Sequence, residues 1–221
     1  MNFMVLLRSF EEFIFEAVSW LIFYPLVIWR IITRPLTTMA YSDAEQAQPD
    51  SERYNEALSP PLLLFVTVFA VSGLAALLHQ EAPSDSVIIQ ALYSSVQYVA
   101  LFRAIVFSAT PLVAAAIYLH RTRQPVSRDT LRPPFYAQCY LATPVCIFLS
   151  LGNSIFHRND VPDVIGVLLM AGGLIWFAIT QVRWFRSRLG VTWIDATITT
   201  IAAVFLAFSY IFLLMTPIAL V

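Results

Sequence analysis

The chain has 221 residues, 59% of them hydrophobic and only 12% charged, with a formal net charge of −1. Soluble globular domains carry about 25% charged residues, so this balance excludes that class and places the chain in a bilayer. All thirteen basic residues are arginine, and their positions therefore set the topology.

Residues 1–40 read as an amphipathic interfacial segment on the cytoplasmic side. The stretch from Phe10 to Glu16 alternates acidic and aromatic side chains, and the apolar run from Ala17 to Trp29 ends at Arg30. That run falls short of the roughly 17–25 residues a spanning helix needs. Trp20, Tyr24 and Trp29 are residue types that prefer the headgroup level, and Pro25 is expected to kink the segment. A short or re-entrant sixth span is the competing expectation. Glu11, Glu12 and Glu16 argue against a cleavable signal peptide, and Asn2 and the final Ala-Leu-Val fit no lipidation motif.

Residues 41–58 read as a polar linker. From Thr37 to Asn55 there is almost no aliphatic side chain, too little apolar surface to order the segment. Residues 59–221 then carry five spans, at about 62–79, 98–119, 135–156, 164–182 and 193–215. Ser59-Pro60-Pro61 opens the first, since proline is tolerated in the first helical turn.

The expected fold is all-α, a polytopic transmembrane bundle of five spans preceded by the interfacial helix. Its centre is the third span, Phe135 to Phe156, which is uncharged and holds Pro144 midway. Proline removes a backbone N–H and strands the carbonyl four residues back. In lipid that defect survives only where neighbouring helices or Thr143 re-satisfy the freed group. Gly172-Gly173 in span four marks a place for close backbone approach. Cys139 and Cys146 share a helix face about 10 Å apart along its axis, too far for a disulfide, and read as packing residues.

Eleven arginines fall on one side of the spans, Arg158 on the other, and Arg103 within or beside span two. The positive-inside rule then makes this a cell inner membrane protein with a cytoplasmic N-terminus and a periplasmic C-terminus.

Few side chains suggest chemistry. Arg103 is costly at membrane depth, and either snorkels to the headgroups or pairs with Asp163 or Glu81. Asp195 either stabilises the start of span five or relays protons or cations with Gln181 or Thr197. His79, His157, Asp160 and Asp163 share the outer face without metal-site spacing. Pro111 and Pro144 either kink their spans or mark discontinuous helices around a substrate site. No phosphate loop, nucleophile elbow or His-Glu-x-x-His motif occurs. Neither catalytic residues nor a cofactor nor a metal is expected. The arginine clusters abut spans, where lipid headgroups rather than nucleic acid are the nearer partner.

Four fragments together resemble the Yip domain family, the Ypt/Rab-interacting type of five-span membrane protein, in its bacterial form. They are Tyr24-Pro25 with Trp29 to Ile32 and Pro35, then Ser59-Pro60-Pro61, then Tyr136 to Pro144, and finally Gly173 to Trp176 with Gly190-Val191-Thr192. The resemblance implies an all-helical five-span fold without catalysis. Eukaryotic relatives are linked to vesicle-trafficking partners, and bacterial relatives are sometimes labelled permease. The expected function is that of a non-enzymatic scaffold or accessory subunit, in contact with the bilayer and with other membrane subunits or a second copy. The alternative is a small permease or channel for an ion or small molecule.

Overall fold

In the computed structural model the described residues are 7–8, 10–11, 23–49, 52–54, 58–77, 90, 94–156, 158 and 160–219, and among them every regular element is a helix. Five helices are long and apolar enough to cross a membrane. They are α3 (Pro60–Leu77), α4 (Val96–Arg121), α5 (Arg128–Phe156), α6 (Asp163–Leu189) and α7 (Trp193–Ala219). Two shorter helices precede them, α1 (Phe23–Thr33) and α2 (Pro35–Gln46).

The expected spans are all present, with Pro60 opening α3 as Ser59-Pro-Pro implied. The third begins earlier than expected, because Ser127 caps it. The Ser127 hydroxyl accepts from the Thr130 N–H at 3.2 Å, and the Thr130 hydroxyl accepts from the Ser127 N–H at 3.0 Å. That reciprocal cap nucleates a turn, and the helix continues through Pro133 and Pro134.

α5 is the central helix. In its apolar window 61% of residues are buried, against 22–44% in the other four spans. It packs on α2, α3, α4 and α6, while α7 packs on α4 and α6. α4 and α5 run unbroken through Pro111 and Pro144. The Thr143 hydroxyl donates to the Cys139 carbonyl at 2.9 Å, and so not to the Tyr140 carbonyl that Pro144 strands.

The closest helix crossing joins α5 to α6. A Cβ added to Gly166 would lie 2.6 Å from the Gly152 carbonyl oxygen, and one added to Gly152 would lie 2.8 Å from that of Gly166. Small residues at these positions let two backbones touch, where dispersion and lipid exclusion favour association. Gly173 is also tight, but against the Phe148 side chain instead of a backbone, and Gly172 meets nothing within 4 Å.

One expectation for the N-terminal region needs correction. The stretch Pro35–Gln46, expected to be mostly linker, is a helix with Thr38, Met39, Ser42 and Gln46 buried. These positions recur at helical spacing, and the polar ones find partners in the fold, so composition alone misjudged the segment. α1 runs helical from Phe23 to Thr33 and breaks at Arg34, where φ is −134° and ψ is 56°. The residue before a proline is driven from helical conformation, and Pro35 does this to Arg34.

α1 is apolar on both faces. Ile31 packs with Leu63 and Tyr140, while Phe23, Leu26 and Trp29 are exposed on the opposite side. The Tyr24 hydroxyl donates to Thr67 Oγ1 at 2.9 Å, about 10 Å along α3 from its start. The Trp176 indole donates to the Ile32 carbonyl at 3.1 Å. α1 thus lies against the flanks of α3 and α6.

Candidate functional site

The ends of the helices gather the charge. The α4–α5 connection brings Arg121, Arg123, Arg128 and Arg132 to the same end of the bundle as Arg183, Arg186 and Arg188 at the close of α6, and Arg158 lies at the other end. There Arg158 Nε donates to Asp160 Oδ1 at 2.7 Å, and this bond holds the Asp160 carboxyl below the usual carboxylate range.

α2 closes over the arginine-rich end. The Asp43 carboxylate forms an ion pair with the Arg188 guanidinium, tying α2 to the end of α6. Behind it, the Tyr54 hydroxyl lies 2.8 Å from the Ser42 hydroxyl and accepts from Gln46 Nε2 at 3.2 Å. The Tyr54 N–H donates to Glu45 Oε2 at 2.7 Å. Burial pushes the Tyr54 phenol pKa up, despite these bonds. Arg132 sits over the Tyr136 ring, 5.4 Å from its centroid, and Tyr136 meets Tyr54 at 6.0 Å.

Beside α2 the α6–α7 turn is built for a sharp reversal. Gly190 adopts φ +64°, a left-handed conformation open to glycine without a Cβ penalty, and its N–H donates to the Arg186 carbonyl at 3.0 Å. Thr192 then caps α7, its hydroxyl accepting from the Asp195 N–H at 3.3 Å and donating to Asp195 Oδ2 at 3.2 Å. Between this turn and the start of α2 lies a cleft of about 340 Å³, lined by Leu36, Arg183, Arg186, Ser187, Gly190, Val191 and Trp193. The Arg186 guanidinium stacks on Trp193, 4.1 Å from the ring centroid.

A second polar locus is internal. Gln181 is 1% exposed, with neither amide atom hydrogen-bonded, and Gln138 Nε2 and Trp184 Nε1 are likewise buried without a partner. Phe148 stands against Gly173 in the antiparallel α5–α6 pair, and continuing that register brings Gln138 to the level of Gln181 and Trp184. An unbonded buried amide costs about 1–3 kcal/mol, which a water or a polar ligand relieves.

The side chains singled out in the sequence are scattered. Arg103 Nη1 reaches Ser72 Oγ on α3 at 3.5 Å and forms no ion pair with a described carboxylate. The expected partner Asp163 is exposed at the start of α6, where a helix N-terminus favours it, while Glu81 lies outside the described residues. α4 packs mainly on α3, α5 and α7, which keeps Arg103 from the start of α6. Asp195 is exposed and serves the Thr192 cap, and Thr197 donates to the Trp193 carbonyl at 2.8 Å, so among the described residues no hydrogen bond links Asp195 to Thr197 or Gln181. His79 and His157 lie outside the described residues, and among those described no group of three or more potential metal ligands gathers.

Nothing in the residue order pointed to the Asp43–Arg188 pair, the Tyr54 network, the Gln138–Gln181 locus or the Gly152–Gly166 crossing. For α2 a signal existed in the spacing of Thr38, Ser42 and Gln46. Comparison with protein-family models, curated proteins and solved structures returns no match to this chain.

Proposed function

We propose that this chain is a non-enzymatic, Yip-like multi-pass protein of the inner membrane, which acts through helix–helix contacts as a scaffold or accessory subunit. The observation that carries the reading is the outer face of α7. Ile194, Ile198, Ile201, Phe205, Phe208 and Phe212 alternate steps of four and three residues along α7, and all are exposed. That 3.5-residue repeat is the seam of a left-handed helix pair, the commonest packing in membrane bundles. Within the spans, the hydroxyls of Thr67, Thr143, Ser154, Thr180, Thr199 and Thr200 donate to carbonyls four residues back, so their protons are committed to their own helices. The one-sided arginines favour a cytoplasmic N-terminus.

The test is crosslinking in native membranes from single cysteines at Ile201, Phe205 and Phe208. The expected result is a discrete adduct with a membrane protein or a second copy at these positions, absent from Leu112→Cys on α4. No adduct at any α7 position overturns the reading.

A second reading, a small permease or channel, is favoured by the unbonded amides of Gln181 and Gln138. Its test is solute or ion flux into proteoliposomes. Flux lost in Gln181→Leu supports it, and flux absent from the parent or unchanged in the variant opposes it.

A further inference from the structure

We propose that the cleft between the α6–α7 turn and the start of α2 binds the phosphate of an anionic phospholipid. Three observations converge there. The first is unspent positive charge. Arg188 is committed to Asp43 and Arg132 sits over Tyr136, but Arg183 has no hydrogen-bond or ion-pair partner among the described residues, and no carboxylate lines the cleft. A guanidinium presents donors in a planar fork that matches phosphate oxygens two at a time.

The second observation is preorganisation. Arg186 is held against Trp193 by a cation–π stack, which leaves its N–H edge free and reduces the rotamer freedom lost on binding. Ser187, also in the lining, adds a hydroxyl one residue away, although this hydroxyl donates to the Trp184 carbonyl at 3.0 Å and so offers its oxygen only as an acceptor. The recognition therefore falls to the two arginines.

The third observation separates a lipid from a free phosphate. The remaining walls are Leu36, Val191 and the Trp193 ring, and beyond them Ile194 is 74% exposed on α7. The cleft thus joins a cationic mouth to an apolar wall at the end of two spans, where tryptophan prefers to sit at headgroup depth. A phosphate diester with acyl chains uses both parts, and inorganic phosphate uses only the mouth. Basic pockets between helices at this level recognise anionic headgroups.

The experiment takes the full-length protein in a nonionic detergent and titrates it with short-chain phosphatidylglycerol, short-chain phosphatidylcholine and inorganic phosphate, reading binding by microscale thermophoresis. Phosphatidylglycerol is expected to bind tightest. Losing one charge-assisted hydrogen-bonding group weakens it about tenfold in Arg183→Gln and in Arg186→Gln. Arg121→Gln, at the same end but away from the cleft, stays within about twofold of the parent. Among the described residues Arg183 has no partner to lose, so its variant is expected to keep the fold, and circular dichroism checks this. Equal affinity for phosphatidylcholine overturns the proposal, as does an equal loss in Arg121→Gln, which marks bulk charge attraction. Inorganic phosphate binding as tightly as phosphatidylglycerol overturns the lipid assignment in favour of a free anion.

Discussion

α5 and α7 are both long apolar helices, yet 61% of the apolar window of α5 is buried against 28% of that of α7. α5 buries Tyr140 and Leu141 along with small and polar residues such as Ala137, Gln138, Ala142 and Thr143, whereas α7 buries Ala196, Thr199, Thr200, Ala203 and Ala207 and turns its isoleucines and phenylalanines outward. Water would reverse this distribution. In a bilayer the tails are as apolar as leucine, so burying a large aliphatic chain gains little, and close backbone approach through small residues becomes the stabilising contact.

The contrast breaks most severely at the Gly152–Gly166 crossing. Gly152→Leu is expected to destabilise the bundle by about 3 kcal/mol and Gly166→Ala by about 1–2 kcal/mol, since each side chain meets the facing backbone. Unfolding by denaturing detergent measures both. Gly172→Ala, with open space around it, should leave stability unchanged or raise it by about 0.5 kcal/mol.

Next in size are the contacts that fasten the N-terminal helices. Trp176→Phe keeps the ring but loses the bond to the Ile32 carbonyl, at an expected cost of about 1 kcal/mol, read from the same unfolding curve. Asp43→Asn removes one partner of a pair whose side chains are 29% and 35% exposed, so solvent screening holds the loss to about 0.5–1 kcal/mol. Raising the salt concentration should shrink this difference, which a stability titration at two ionic strengths measures.

The smallest effect is expected on α7. Phe205→Ala removes a ring that is 68% exposed, and the isolated bundle should stay within about 0.5 kcal/mol of the parent. Crosslinking across the α7 face is the measurement it should change. A large loss of bundle stability instead would mean that α7 is packed like α5.

The five spans were legible because length and apolarity are one-dimensional signals, and the place of Asp195 near the start of the fifth was legible because it is local. Features that depend on register were not. Nothing in the string says that Gly152 lies opposite Gly166, or that Arg103 reaches Ser72 thirty-one positions away. α2 was hidden for another reason. Its buried face is polar, and Ser42 and Gln46 are satisfied only once Tyr54 folds back onto them. A compositional rule counts such residues as solvated, because it cannot see the partner that replaces water.

The break at Arg34 has a mechanical consequence. A single non-helical residue separates α1, fastened to α3 and α6 through Tyr24 and Ile32, from α2, fastened to the end of α6 through Asp43. So short a hinge stores no slack, and any force that lifts α2 away is transmitted to the Ile32–Trp176 bond. The pair behaves as a bent lever, with its fulcrum at Arg34 and one arm held against α3 and α6.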